Sequence, residues 1–150
     1  MELNNNIVSY DGNQYNIIHQ TDGNILLQKI NIINITSIND IKKYNFNKSI
    51  ISKCIVNNDI IYKYKYKYIF NYVYNLIDNG AKIIRHTTLN IDTRKREDSG
   101  FYYLDDLSIS VQGVDANKCL YEICHQCIIN KLIIHFDILL DDGNQINIKL

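Results

Sequence analysis

Apolar positions along this chain recur with two rhythms, and the switches between them divide it into elements. Most segments alternate apolar and polar residues every second position, as half-buried strands do, while two repeat every third and fourth, as helices do. Asp11-Gly12 and Asp22-Gly23 separate apolar runs at 7–10, 15–20 and 25–34. Asp-Gly between such runs predicts a three-stranded meander. Thr36 or Ser37 then caps a short predicted helix through Ile38, Ile41 and Tyr44. A polar link at 45–48 leads to a strand at 50–56, and Asn57-Asn58-Asp59 turns it into the next element.

The stretch 60–91 reads as strand, helix, stop, strand. Tyr62, Tyr64, Tyr66 and Tyr68 alternate with Lys63, Lys65 and Lys67. In a strand that spacing places every ring on one sheet face and every ammonium group on the other. From Ile69 the rhythm changes: Ile69, Phe70, Val73, Leu76 and Ile77 form a helical stripe, which Gly80 stops by its ease in the left-handed backbone region. Residues 82–91 are again strand-like.

Residues 92–100 carry both signs of charge and read as a solvated loop. Leu107, Ile109 and Val111 alternate with Ser108 and Ser110 as a strand that Gly113 ends. Val114-Asp115 opens a helix with Asp115 as its N-cap and a stripe of Ala116, Leu120, Ile123, Cys124, Cys127 and Ile128. The most apolar run, 132–140, is the predicted central strand, and Asp141-Asp142-Gly143-Asn144 folds it back onto Ile146, Ile148 and Leu150. The strands from Leu107 and Leu132 are candidates for a parallel pair joined right-handedly by the helix between them. The expected fold is a single α+β domain over 1–150, a mainly antiparallel sheet with two main helices packed on it and a C-terminal β-α-β-β unit.

At 150 residues there is material for one core. The formal net charge of +0 lacks the basic excess of most nucleic-acid binders, so nucleic acid is possible as a partner but not favoured. No apolar run is long enough to cross a bilayer, and residues 1–6 are polar, so the expectation is a soluble, intracellular, cytoplasmic protein that does not use a membrane. The chain has no Pro, no Trp and 12 Tyr, and is rich in Asn, Ile and Lys, residues of A/T-rich codons. That bias points to a low-GC bacterium, its phage, a protist or a large DNA virus as the source.

Two His-x-Thr triplets, His19-Gln20-Thr21 and His86-Thr87-Thr88, are the sharpest chemical candidates. Residues two apart in a strand point the same way, so each triplet offers an imidazole and a hydroxyl together. Two such pairs suit phosphodiester chemistry, one histidine as base, the other as acid, the hydroxyls on the non-bridging oxygens. The pattern resembles the two-histidine (2H) phosphoesterase superfamily. That resemblance implies metal-independent action on cyclic phosphates or oligonucleotides, with His19, Thr21, His86 and Thr88 catalytic.

Cys119, Cys124 and Cys127, with His125, have the spacing of a metal run. The residues between Cys119 and Cys124 are bulky helix formers and no fourth cysteine follows, so all four cysteines, Cys54 included, are expected as reduced core residues, with no metal and no cofactor. The tyrosine-lysine segment, Tyr62, Lys63, Tyr64 and Lys65, suggests stacking on single-stranded nucleic acid, but a strand would part rings from charges, leaving Tyr inward and Lys outward. Arg94, Lys95 and Arg96 could grip a phosphate or an acidic partner and are offset by Asp92, Glu97 and Asp98. His135 and Asp137 lie two apart on one strand.

The leading expectation is therefore a macromolecule-binding accessory or counter-defence factor, viral, phage or bacterial, with a protein partner that includes a second copy of itself. Tyrosine is favoured at contact surfaces. The alternative is the two-histidine phosphoesterase.

Overall fold

The computed structural model describes residues 7–77, 85–113 and 115–150, leaving aside the side chains of residues 16, 18 and 28. The meander forms as expected: β1 (Ile7–Tyr10), β2 (Asn13–Thr21) and β3 (Asn24–Lys29) pair antiparallel in the order β1-β2-β3. Gly12 and Gly23, both at positive φ, make the two turns. The run expected to continue to residue 34 instead breaks at Ile30 and Asn31. Its second half, β4 (Ile32–Ile35), leaves the meander and joins a different sheet.

That second sheet is the centre of the molecule, with strands β4, β5 (Ile50–Val56), β6 (Asp59–Ile60), β10 (Ile134–Leu139) and β11 (Gln145–Lys149) in the order β4-β11-β10-β5-β6. All neighbours are antiparallel except β4 and β11. Period-two alternation along β10 buries Ile134, Phe136 and Ile138, and β11 adds Ile146 and Ile148 to the core. On β5 the core residues are Ile51, Cys54 and Val56, three apart and then two, and the register with β10 shifts beside Ile138 to accommodate this.

Two helices complete the core, α2 (Tyr66–Ile77) and α3 (Ala116–Ile129), with α1 (Ile38–Ile41) a single turn before them. Ile69, Phe70, Val73 and Tyr74 of α2 join Leu120, Ile123, Cys124 and Cys127 of α3 in one buried cluster with the sheet residues. Each such aliphatic or aromatic side chain contributes about 1.5–3 kcal/mol by leaving water. Asp115 caps α3 as expected, its Oδ1 accepting from the Lys118 N–H at 2.9 Å. A third sheet, in the order β7-β9-β8, is built from β7 (Ile91–Asp92), β8 (Phe101–Leu104) and β9 (Ile109–Gln112), with a 3-10 turn at Asp105–Leu107.

Further expectations need correction, beginning with Leu76 of the α2 stripe, which is exposed, and Leu107, which lies in the 3-10 turn before β9. The tyrosines are not a strand: residues 61–65 have no regular structure and α2 begins at Tyr66. The helical stripe reaches back one turn, from Ile69, Phe70 and Val73 to half-buried Tyr66, whose hydroxyl bonds Ser49 at 2.6 Å, and this tertiary anchor outweighs the local alternation. Nor is 82–91 a strand over its described part, since Arg85 and His86 are helical and only Ile91–Asp92 pairs; residues 82–84 and the predicted stop at Gly80 lie outside the described residues, as do residues 1–6 and Val114. The strands from Leu107 and Leu132 do not pair: β9 binds β7 and β8 antiparallel, and β10 belongs to the central sheet. Ile128, placed in the buried stripe of α3, is exposed.

All four cysteines are free and buried. Burial pushes the thiols of Cys54, Cys119 and Cys127 from an ordinary 9.0 up to about 12, and Cys124 well above the same value. These groups ionise in the unfolded chain before they ionise in the folded one, so their contribution is complete below the unfolded value and is lost as pH rises through the folded one. Under reducing conditions the urea midpoint should therefore fall steadily from about pH 8 to about pH 11. A midpoint unchanged across that window would contradict the buried placement.

Candidate functional site

Residues 87–90 pass over α3 as an irregular strap, and what fixes them there is a carboxyl group with no exposed surface, Glu122. Its position in the middle of α3 points it at Tyr74 of α2 and at the strap together. Oε1 accepts from Tyr74 Oη at 2.8 Å, Thr87 Oγ1 at 2.9 Å and Gln126 Nε2 at 3.0 Å. Oε2 accepts from the Thr88 N–H at 2.9 Å and from Thr88 Oγ1. Five donors thus converge on two oxygens, which is how a polar group is kept in a core without a large desolvation cost. Burial, and then the adjacent Glu122, push the Tyr74 hydroxyl well above the usual phenol range.

The strap has further ties. Thr87 Oγ1 accepts from the Leu89 N–H at 3.0 Å, the His86 carbonyl lies 2.9 Å from His125 Nε2, and Asn90 is held by Gln112 through its carbonyl at 3.0 Å and its Nδ2 at 2.7 Å.

So held, the strap forms one wall of a cleft of about 640 Å³. Thr88, Leu89 and Asn90 face Asn117, Lys118 and Tyr121 of α3 across it, and Ile41, Lys42, Tyr44 and Asn45 close the end beside α1. Asn117 is fixed in the opposite wall: its Oδ1 accepts from the Phe46 N–H at 2.6 Å and its Nδ2 donates to Asn45 Oδ1 at 3.1 Å. Lys42 Nζ stands 4.5 Å from the centre of the Tyr121 ring, a cation-π contact. The cleft is lined by lysines, tyrosines, amides, Thr88, Ile41 and Leu89, and no carboxyl group lies among the described residues that line it.

Of the residues singled out in the sequence, Thr88 reaches this cleft, and its hydroxyl is already engaged by Glu122. His86 is exposed at the end of its helical residues; His19 and Thr21 lie exposed on β2, opposite Leu26 and Asn24 of β3. No hydrogen bond, ion pair or ring contact joins the two histidines among the described residues. Tyr62, Lys63, Tyr64 and Lys65 form an exposed irregular segment in which rings and charges mix, with Lys63 Nζ 4.6 Å from the Tyr68 ring centre. Arg94 forks onto Asp92 at 3.1 and 2.8 Å, and Arg96 onto Asp98 at 3.0 and 2.7 Å. Hydrogen bonds from Arg96 hold the Asp98 carboxyl down at about 2, and those from Arg94 put Asp92 below the usual carboxylate range. His135 Nε2 lies 2.9 Å from Asp137 Oδ1 on half-buried positions of β10.

Sequence reasoning passed over Glu122, Lys42, Lys118 and Tyr121. A signal for the first did exist: an acidic residue within the buried arc of a helix, between Cys119 and Ile123, breaks the stripe and requires donors. No family model matches this chain, and neither does any curated protein or solved structure.

Replacing Glu122 with Ala should cost about 3 kcal/mol or more in urea unfolding, because the buried Tyr74 hydroxyl loses its acceptor and the part-buried Thr87 and Thr88 donors lose theirs with it. Tyr74→Phe, which removes one donor of five, should cost about 1 kcal/mol beside it. Equal losses in the two variants would mean that Glu122 does not carry the strap.

Proposed function

We propose that this chain is a macromolecule-binding accessory protein that engages a protein partner by strand addition along β3, and that a second copy of the chain is the occupant this edge fits. The observation that carries the reading is the state of β3. It ends its sheet, and three successive apolar residues, Ile25, Leu26 and Leu27, are 56%, 57% and 36% exposed, so apolar side chains stand in solvent on both faces. Among the described side chains of β1–β3 none belongs to the buried core cluster. A three-stranded sheet with so little of its described surface in the core is weakly held by itself, and an edge with three apolar residues in succession is a template for a further strand.

The sequence of β3 suits its own counterpart. A two-fold axis normal to the sheet keeps each side chain on its face, so only positions of like parity can lie opposite. Centring the axis on Leu26 sets Leu26 opposite Leu26, Ile25 opposite Leu27 and Asn24 opposite Gln28. Lys29 then falls opposite Gly23, and no like charges meet. The formal net charge of +0 adds no long-range repulsion between copies.

A two-histidine phosphoesterase is the rival reading. Metal-free hydrolysis of a cyclic phosphate that disappears in His86→Ala would put it in place of the binding proposal.

Light scattering coupled to gel filtration across a dilution series should find a dimer that dissociates in the micromolar range or below. Leu26→Glu should be monomeric with an unchanged circular dichroism spectrum. A wild type that is monomeric at every concentration, or a variant that associates as readily, would overturn strand pairing at β3.

A further inference from the structure

The cleft beneath the strap has no part in strand pairing, and its chemistry points elsewhere. Among the described residues its charged side chains are two ammonium groups, Lys42 and Lys118, and neither makes an ion pair. Like charges gathered in a concave wall with no acid among them focus a positive field into the space they line. The polar groups with spare capacity are placed around that field. Asn45 uses its Oδ1 on Asn117 and on the Asn47 N–H, leaving Nδ2 as a donor. Asn90 uses its Nδ2 on Gln112, leaving Oδ1 as an acceptor. Between them Ile41, Tyr44 and Leu89 supply flat and apolar wall, and the volume of about 640 Å³ lies in the range of small-molecule sites.

We propose that this cleft binds a nucleotide, with the phosphate on Lys42 and Lys118 and the base against the Tyr44 side, read by the free amide groups of Asn45 and Asn90. One acceptor and one donor on separate side chains suit the edge of a base, and two ammonium groups suit a phosphate.

The phosphate has two possible sources. A smaller hollow of about 360 Å³ shares Leu89 with the cleft and carries Lys67, whose Nζ is 4.4 Å from the Tyr102 ring centre. A free mononucleotide uses the cleft alone. The end of a single strand would run on past Leu89 to Lys67 and Tyr102.

Fluorescence anisotropy with a labelled mononucleotide and with a 5′-phosphorylated short oligonucleotide, at low and moderate salt, tests this on the full chain. Lys118 is exposed, so Lys118→Ala should keep the wild-type melting temperature and weaken binding of whichever probe is taken by roughly tenfold. Lys67→Ala should leave the mononucleotide unaffected and weaken only the oligonucleotide; an effect on the oligonucleotide assigns the strand as source, and no effect assigns the free nucleotide. Failure of both probes to bind, binding indifferent to Lys118→Ala, or competition by inorganic phosphate as effective as by the nucleotide would overturn the proposal.

Discussion

A carboxyl group sealed inside a helical layer is an expensive thing to keep, and the middle of this molecule is arranged around keeping one. Glu122 draws a phenol from α2, an amide from its own helix, and two hydroxyls and a backbone N–H from the strap. Remove the carboxyl and those groups have no reason to meet, since the strap contributes little apolar surface of its own and residues 87–90 have no regular backbone pairing. Irregular chain can lie against a core only where its polar groups find partners. Here one side chain supplies them for a whole segment, and the cleft exists because that segment is held off α1.

The central sheet and the two helices were legible because burial follows rhythm directly in β10, β11 and α3. Ile134, Phe136 and Ile138 alternate without interruption, and the Asp115 cap sits where a helix must start. The strap was not legible, since its conformation is dictated by Glu122, which lies 34 and 35 residues away from the threonines it binds. The tyrosine segment misled for a related reason. Local alternation spoke for a strand, while the packing of Tyr66 against Ser49 and of Ile69 and Phe70 in the core favoured a helix, and long-range burial decided. β8 gave no periodic signal at all: Phe101, Tyr102 and Tyr103 are all half-buried, so no face could be told from the sequence.

Once the tyrosines leave the sheet, the aromatic surplus acquires a different meaning. Lys67 on Tyr102, Lys95 on Tyr103 and Arg96 on Phe101 place cations over successive rings of β8. Those half-buried rings carry charge on one side, and Tyr102 also packs against the core. Of these cations, Arg96 is also held by Asp98, whereas the two lysines make no ion pair among the described residues. Arg96 thus does both, resting on a ring while it neutralises an acid, whereas Lys67 and Lys95 rest on rings alone.

The parallel pairing of β4 with β11 sets an order of events during synthesis. Gln145 donates to the Asn31 carbonyl at 2.9 Å, so the innermost partner of β4 is made more than a hundred residues after it. The meander, by contrast, has every partner within a few turns of chain and can assemble while the ribosome is still translating α2. For that interval the nascent chain displays its oily outer strand with no finished body behind it.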